Sequence, residues 1–408
     1  MLKRISVDQL TLGMYLKEFC GSWMEHPFWR TAFVLKDPKD VATILASSIK
    51  EVWIDASLGL DVAPGVTALS ETESVQQVEA ELRLMDATDR KVAPVTLSAE
   101  MDRAAMICAR SKQAVETMFS EVRMGQAINT AGAQRMVEEI SDSITRNPGA
   151  LISLTRLKTA DNYTYMHSVA VCALMISLAR QLKLDEAVTR SLGVAGLLHD
   201  LGKAVMPMEI LNKPGKLTDA EFDIVRNHPQ TGYDILLASD SVDAIALDVC
   251  LHHQEKTDGS GYPKHLQGDE ISLYAKMGAV CDVYDAITSN RPYKAGWDPA
   301  ESLKKMAEWT KGHFDPKVFQ AFVKCLGIYP VGSLVRLSSG RIGVVTEQTA
   351  QSLLSPTVKV FYSTKSGMRI LPEVVDLSRP DCVEKILTRE DPEKWNFRDL
   401  NELWSGIS

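Results

Sequence analysis

One stretch of the chain places an imidazole next to a carboxylate. It is the run of residues 196–203, which contains His199 and Asp200. Further side chains of the same two types occur at His167, His228, His252, His253 and Asp282. Five of the eight histidines of the chain belong to this set. Because imidazole nitrogens and carboxylate oxygens are ligands for transition metals, the set predicts a metal centre.

The spacing bears on how these ligands are shared. Neighbouring residues on a helix diverge by about 100°, so His199 and Asp200 could hardly bind one ion together unless the helix ends there. Gly202 supplies such an end. A carboxylate at this place could instead bridge two metals. His252 and His253 form a second adjacent pair, at the end of an apolar helix. With nitrogen and oxygen ligands but no thiolates, the site suits iron, manganese, zinc or nickel.

The composition is that of a soluble globular protein of more than one domain. The chain has 408 residues, of which 45% are hydrophobic and 24% are charged. Its net charge of -8 argues against a general affinity for nucleic acid or for a membrane. The seven cysteines form no Cys-x-x-Cys pair, which favours reduced thiols over disulfides or a thiolate zinc site. The polar N-terminus does not read as a signal peptide, so we expect a cytoplasmic protein.

The pattern along the chain predicts three kinds of architecture. The longest apolar run, residues 169–179, is too short to span a bilayer and reads as a buried helix. Helical spacing dominates the middle of the chain, and period-two alternation follows residue 330. We predict the following parts: a small α+β module over 1–66, a linker with connecting helices over 67–145, an all-α domain over 146–330, a small β appendage over 331–376 and a C-terminal tail over 377–408.

Several motifs in the middle of the chain resemble the HD-GYP family, a group of HD-type metal-dependent phosphohydrolases that cleave the bacterial second messenger cyclic di-GMP. The resemblance covers roughly residues 146–326. The opening segment is similar, more weakly, to a domain of unknown function that often precedes HD-GYP domains. The matching stretches are residues 163–168, 199–203, 210–218, 228–232, 252–263, 282–286 and 291–294.

The resemblance implies a centre of two divalent transition metal ions, iron or manganese. Some members hold a third ion with an extra carboxylate just before the first histidine. Asp161 is the only acid near that position, so two ions are favoured and a third stays open. The implied ligands of the first ion are His167, His199, Asp200 and Asp282. The implied ligands of the second ion are Asp200, His228, His252 and His253.

The same resemblance implies catalytic roles for Asp200 and Lys203. Two metals can activate a water molecule for in-line attack on a phosphodiester. Asp200 would set the spacing of the metals. Lys203 can reach a phosphoryl oxygen and offset developing charge. We expect Asp285 to orient a ligand histidine or the segment that carries Asp282.

Substrate binding is expected in two places. Gly261 permits a tight turn, Tyr262 offers a flat face for a guanine and Pro263 stiffens the exit of the loop, although the loop could equally be a structural brace. Arg291 and Lys294 lie three residues apart and can bind the phosphates of a dinucleotide.

We therefore expect a phosphodiesterase that converts cyclic di-GMP to pGpG, and further to GMP as an open second step. Two alternatives remain at this point. One is a receptor that binds cyclic di-GMP with little turnover, and the other is a phosphohydrolase of another nucleotide. A homodimer and signalling protein partners are options that the sequence leaves open.

Overall fold

The fold is described on a computed structural model. The chain divides into two compact units, residues 1–84 with 304–311 and residues 85–303 with 312–408. The residues that the structure describes are 2–20, 32–47, 49–63, 68–70, 73, 96–126, 128, 130–156, 163–211, 213, 215–239, 242–289, 296–349, 352–397 and 399–406.

The first unit contains an antiparallel sheet in the order β3-β2-β4-β1-β5. The strands are β1 (Leu2–Ser6), β2 (Tyr15–Cys20), β3 (Phe33–Val34), β4 (Glu51–Asp55) and β5 (Leu69–Ser70). Helix α1 (Pro38–Leu45) begins at Asp37, whose carboxylate accepts a hydrogen bond from the main chain of Lys39. Apolar side chains such as Ile5, Leu16 and Ile54 are fully buried. The predicted α+β character of the N-terminal part is confirmed.

The second unit is mainly helical, as predicted. Its helices are α2 (Leu97–Arg123), α3 (Thr130–Arg146), α4 (Pro148–Thr155), α5 (Tyr163–Gln181), α6 (Glu186–Leu198), α7 (Met208–Leu211), α8 (Asp219–Arg226), α9 (His228–Leu237), α10 (Ala244–His252), α11 (Leu273–Thr288), α12 (Pro299–Trp309) and α13 (Pro316–Leu326). Residues 304–309 of α12 are counted with the first unit.

Short polar side chains start the helices that carry the candidate ligands. Asp185 caps α6, Asp243 caps α10 and Ser272 caps α11, each by accepting a hydrogen bond from a main-chain N–H of the first turn. Helix α5 is buried all round over residues 166–179, which confirms the buried helix expected for the long apolar run. These caps and this central helix hold the ends of α6 and α10 and the middle of α11 in place.

A second antiparallel sheet follows the helices, in the order β10-β6-β7-β8-β9. Gly340 makes the turn between β6 and β7 with a φ of 85°. In the C-terminal segment, the ring of Trp395 stacks on Phe397 and meets the edge of Tyr362. The remaining elements are β6 (Leu334–Leu337), β7 (Arg341–Glu347), β8 (Thr357–Ser363), β9 (Met368–Asp376), β10 (Ile386–Arg389), α14 (Pro392–Trp395) and α15 (Leu400–Ser405).

Two further expectations concern the chain as a whole. All seven cysteines are free and five are buried, which agrees with the reduced thiols expected from their scatter. Among the helices of the described ranges, none combines the length and the apolar character that crossing a bilayer requires.

Candidate metal centre

Six of the predicted ligand side chains meet in the helical unit. They come from the first turn of α5, the end of α6, the start of α9, the end of α10 and the middle of α11. All six are buried. They are His167, His199, Asp200, His228, His253 and Asp282.

The first group of ligand atoms surrounds a point between α5, α6 and α11. His167 Nε2 lies 3.0 Å from Asp282 Oδ1 and 3.5 Å from Asp200 Oδ2. His199 Nε2 lies 3.5 Å from the same oxygen of Asp200 and 3.8 Å from Asp282 Oδ1. The ligand atoms of His167, His199 and Asp282 form a group that one cation could occupy, and Asp200 Oδ2 lies 3.5 Å from both imidazole nitrogens.

The second group uses the other oxygen of Asp200. Asp200 Oδ1 lies 3.2 Å from His228 Nε2 and 3.7 Å from His253 Nε2. The two imidazole nitrogens are 3.1 Å apart. Asp200 thus turns one carboxylate oxygen to each group, which is the arrangement expected of a carboxylate that bridges two cations.

Main-chain hydrogen bonds fix the ring orientation of three histidines. The Nδ1 atoms of His199, His228 and His253 each lie 2.8–3.0 Å from the carbonyl oxygen three residues earlier. A carbonyl oxygen only accepts, so Nδ1 must carry the proton. In the neutral ring the lone pair is then on Nε2, the atom that points into the cluster. All three rings therefore present a ligand nitrogen.

His167 is oriented by a carboxylate instead. Its Nδ1 lies 2.6 Å from Asp285 Oδ2, so Asp285 orients a histidine of the set, as expected. Burial lowers the pKa of His167, but hydrogen bonds to Asp282 and Asp285 outweigh burial and raise that pKa above its ordinary value. A cation bound to this ring would therefore have to displace a proton.

Two buried atoms in the middle of the cluster make no hydrogen bond within the described residues. They are His199 Nε2 and Asp200 Oδ1. The lone pairs of His228 and His253 also face each other across 3.1 Å. An unpaired buried polar atom costs about 1–3 kcal/mol. Because a divalent cation would satisfy these lone pairs, the donor set fits the metal centre that its composition predicts.

The charge of the bridging carboxylate is compensated locally. Burial would raise the pKa of Asp200, but Lys203 and His199 outweigh it and hold that pKa well below its usual range. Lys203 Nζ lies 2.6 Å from Asp200 Oδ2. Burial, with Lys203 adding to it, lowers the pKa of His228 to about 4. At neutral pH, Asp200 is therefore ionised and His228 is neutral, which are the forms that bind metals.

His252 does not join the cluster, contrary to the predicted ligand set. Its Nδ1 lies 2.8 Å from Asp248 Oδ1, and its side chain is 19% exposed. No group of three candidate ligand atoms within the described residues includes it. The physical reason is the helical rotation of about 100° per residue: at the end of α10 only one of the two neighbours, His253, can face the other ligands.

Gln254 reaches the centre, although sequence reasoning passed over it. Its Nε2 donates a hydrogen bond of 2.8 Å to Asp282 Oδ2. A search for imidazoles and carboxylates does not find a neutral amide. The only signal in the sequence is its place directly after His253 at a helix end.

Comparisons with known proteins show the family of the chain. Family models match a domain of unknown function, DUF3391, over residues 2–133 and an HD domain over residues 139–318. A cyclic di-GMP phosphodiesterase of Pseudomonas aeruginosa is 56% identical over 409 residues, which cover 100% of this chain and 97% of that protein. The chain belongs to the HD-GYP family. It is accordingly a hydrolase whose HD domain depends on metal ions.

Two other similarities cover less or are more remote. A 3'3'-cGAMP-specific phosphodiesterase of Vibrio cholerae is 38% identical over 168 residues, 41% of this chain and 36% of that protein. The solved structure of an HDG"Y"P protein from Bdellovibrio bacteriovorus aligns with 80% of this chain and 99% of that chain, at 18% identity and a TM-score of 0.47.

The loop that names the HD-GYP family is braced from beneath. Glu255 is buried, and its two carboxylate oxygens accept hydrogen bonds from the main chain of Lys264 at 2.6 Å and of Leu266 at 3.1 Å. A Cβ atom on Gly261 would come within 2.3 Å of the main-chain nitrogen of Lys256, so only glycine fits there. Pro263 follows in the same loop. These contacts hold the loop in place, and both the structural role and the role in guanine binding stay predictions.

Tyr262 lies beside the HD-GYP metal centre. Its ring meets the edge of His228 at a centroid distance of 6.4 Å. The guanidinium of Arg226 lies over the same ring, 5.1 Å from its centroid. One face of Tyr262 is thus covered by a cation, so a base could stack only on the other face. The sequence analysis did not identify Arg226. The feature that could have pointed to it is a positively charged residue two positions before the candidate ligand His228.

The remaining predicted residues either lie outside the described part of the chain or belong to no ligand group. Arg291 and Lys294 lie outside the described residues, as does Asp161. His313 stacks on Phe314 with ring centroids 4.1 Å apart. It belongs to none of the candidate ligand groups formed by the described residues.

Proposed function

We propose that this protein hydrolyses cyclic di-GMP to linear pGpG with two divalent cations held on either side of Asp200. The observation that carries the proposal is the pair of ligand groups that share this carboxylate through different oxygens. The P. aeruginosa relative, which this chain matches over 97% of its length, is named a cyclic di-GMP phosphodiesterase.

The ligand set of the proposal is narrower than the sequence suggests. His167, His199, Asp200 and Asp282 would hold the first cation. Asp200, His228 and His253 would hold the second, without His252. These ligand types suit iron, manganese, zinc or nickel, and we propose iron or manganese, as the family resemblance implies. When bound, such a pair supplies an activated water molecule and positive charge for phosphodiester hydrolysis.

The protein's own side chains then bind and orient the substrate. Lys203, whose ammonium lies 2.6 Å from Asp200 Oδ2, can offset charge that develops on a phosphoryl oxygen. Arg226 is a second cation close to the centre and suits a substrate with two phosphates. Tyr262, with Gly261 and Pro263 shaping its loop, can stack on a guanine. We propose the same phosphate-binding role for Arg291 and Lys294 as in the sequence analysis.

The test is turnover by protein loaded with Fe²⁺ or Mn²⁺ under anaerobic conditions. Cyclic di-GMP and 3'3'-cGAMP are incubated in parallel, and pGpG, GMP and other products are resolved by chromatography. We expect cyclic di-GMP to be consumed faster, with pGpG appearing first. Elemental analysis should find two ions per chain.

Two variants connect turnover to the geometry. Asp200→Asn should lower the rate at least about a hundred-fold, because it removes the charge shared by both groups, worth several kcal/mol. His252→Gln, on the neighbouring helix end but outside the groups, should stay within about two-fold of wild type. Tight binding of cyclic di-GMP without products would overturn the proposal in favour of a receptor, and faster hydrolysis of 3'3'-cGAMP would reassign the substrate.

A further inference from the structure

The two oxygens of Asp282 have separate partners. Oδ1 lies 3.0 Å from His167 Nε2, inside the first ligand group. Oδ2 accepts the hydrogen bond of 2.8 Å from Gln254 Nε2. An aspartate beside a cation can bind through one oxygen or through both. The partner of Oδ2 therefore affects how Asp282 meets the cation.

An amide is a distinctive partner for this oxygen. Its N–H group donates and has no lone pair to offer a metal, so the nitrogen of Gln254 cannot itself be a ligand in this orientation. The amide is also neutral and does not titrate, so its hydrogen bond persists at pH values where an imidazole or a carboxylic acid would change form. The bond uses one lone pair of Oδ2 and favours Oδ1, which faces His167, as the ligand atom.

The main chain holds Gln254 in place on both sides. It directly follows His253, whose Nε2 belongs to the second ligand group. Its carbonyl oxygen accepts a hydrogen bond from the main chain of Tyr262 at 3.2 Å. Gln254 is thus tied to a ligand and to the Gly-Tyr-Pro loop. His252, two residues earlier, turns to Asp248 and offers a matched control outside the cluster.

We propose that Gln254 is a positioning residue that holds Asp282 in its one-oxygen orientation and thereby raises the affinity of the first ligand group for its cation. The inference rests on the metal centre proposed above. Hydrogen bonds to metal-ligating carboxylates commonly change metal affinity by about 10–100-fold. Gln254 should therefore act on one of the two bound ions, the one that Asp282 holds.

The experiment measures Mn²⁺ binding to the full-length apo protein by calorimetry and by competition with a chelating dye. Gln254→Met keeps the length of the side chain and removes the donor. Gln254→Asn keeps the amide but draws it back by one methylene. His252→Met is the control. Thermal unfolding of each apo protein reports folding independently of metal, and if one Gln254 variant fails to fold, the other carries the test.

We expect both Gln254 variants to weaken one equivalent of Mn²⁺ about ten-fold or more, with the other equivalent within about two-fold of wild type. His252→Met should leave both equivalents unchanged. Wild-type affinity in both Gln254 variants would overturn the inference. So would equal weakening of both equivalents with loss of apo stability, which would indicate a merely structural role. If wild type itself bound no Mn²⁺, the metal centre would fail, and that result differs from unchanged affinity in the variants.

Discussion

The hydrogen bond between Asp285 and His167 allows a quantitative prediction of metal affinity. The bond is 2.6 Å long and buried, and its acceptor is a carboxylate oxygen. Hydrogen bonds to charged groups are worth about 1.5–3 kcal/mol. Since 1.4 kcal/mol corresponds to a factor of ten, Asp285→Ala should weaken the metal ion bound at His167 roughly 10–150-fold. Asp285→Asn keeps a neutral acceptor and should lose about ten-fold.

The assay is a competition titration with Mn²⁺ and a chelating dye. Urea unfolding of the apo proteins separates a loss of affinity from a loss of fold. Asp248→Asn is the matched control, because Asp248 makes the same kind of bond, 2.8 Å long, to His252 outside the ligand groups. The reasoning is refuted if Asp285→Ala binds Mn²⁺ as tightly as wild type, or if Asp248→Asn weakens binding as much as Asp285→Asn.

Three further predictions address other parts of the molecule. Gly202→Ala should destabilise the protein by about 3 kcal/mol and weaken metal binding, because a Cβ there would lie 2.0 Å from the carbonyl oxygen of His228; unchanged urea unfolding would contradict this. Removing metal with a chelator should lower the melting temperature by roughly 5–10 °C, the effect of a ligand at about a hundred times its Kd, and an unshifted calorimetric scan would count against bound cations. Burial would raise the pKa of Glu384, but hydrogen bonds from Ser339, Ser338 and Arg341 outweigh it and lower that pKa to about 2. This stabilisation is present above the ordinary Glu pKa of 4.5 and is lost as pH falls toward 2. The stability difference between wild type and Glu384→Gln should therefore be about 1 kcal/mol at pH 7 after allowance for solvent screening, and a difference that persists at pH 2 would contradict this sign.

The main elements of the fold were accessible from the sequence because their patterns are local. The apolar run at 169–179 could only be a buried helix, and it lies in α5. The alternation after residue 330 predicted β6, β7 and β8. The alternation did not extend to β9, whose residues are mostly exposed on the edge of the sheet, because an exposed edge strand has no buried face to mark its period.

The candidate site was predictable as a set of residue types but not in its orientation. His199, His228 and His253 meet because three helix ends meet, and each ring is set by its own main chain. Which of His252 and His253 faces inward depends on the rotation at which α10 arrives, and residue types do not encode that angle. Gln254 went unnoticed because a neutral amide is common everywhere in proteins and gains meaning only from its neighbour in space.

Three successive residues after α10 have three different destinations. His253 faces the second ligand group, Gln254 contacts Asp282, and Glu255 holds the loop beyond it. The direction of each side chain depends on its position along the backbone, so a substitution here changes one contact at a time. Inserting or deleting a single residue would instead turn all three side chains away from their partners. Insertions or deletions between His253 and Glu255 should therefore not be tolerated.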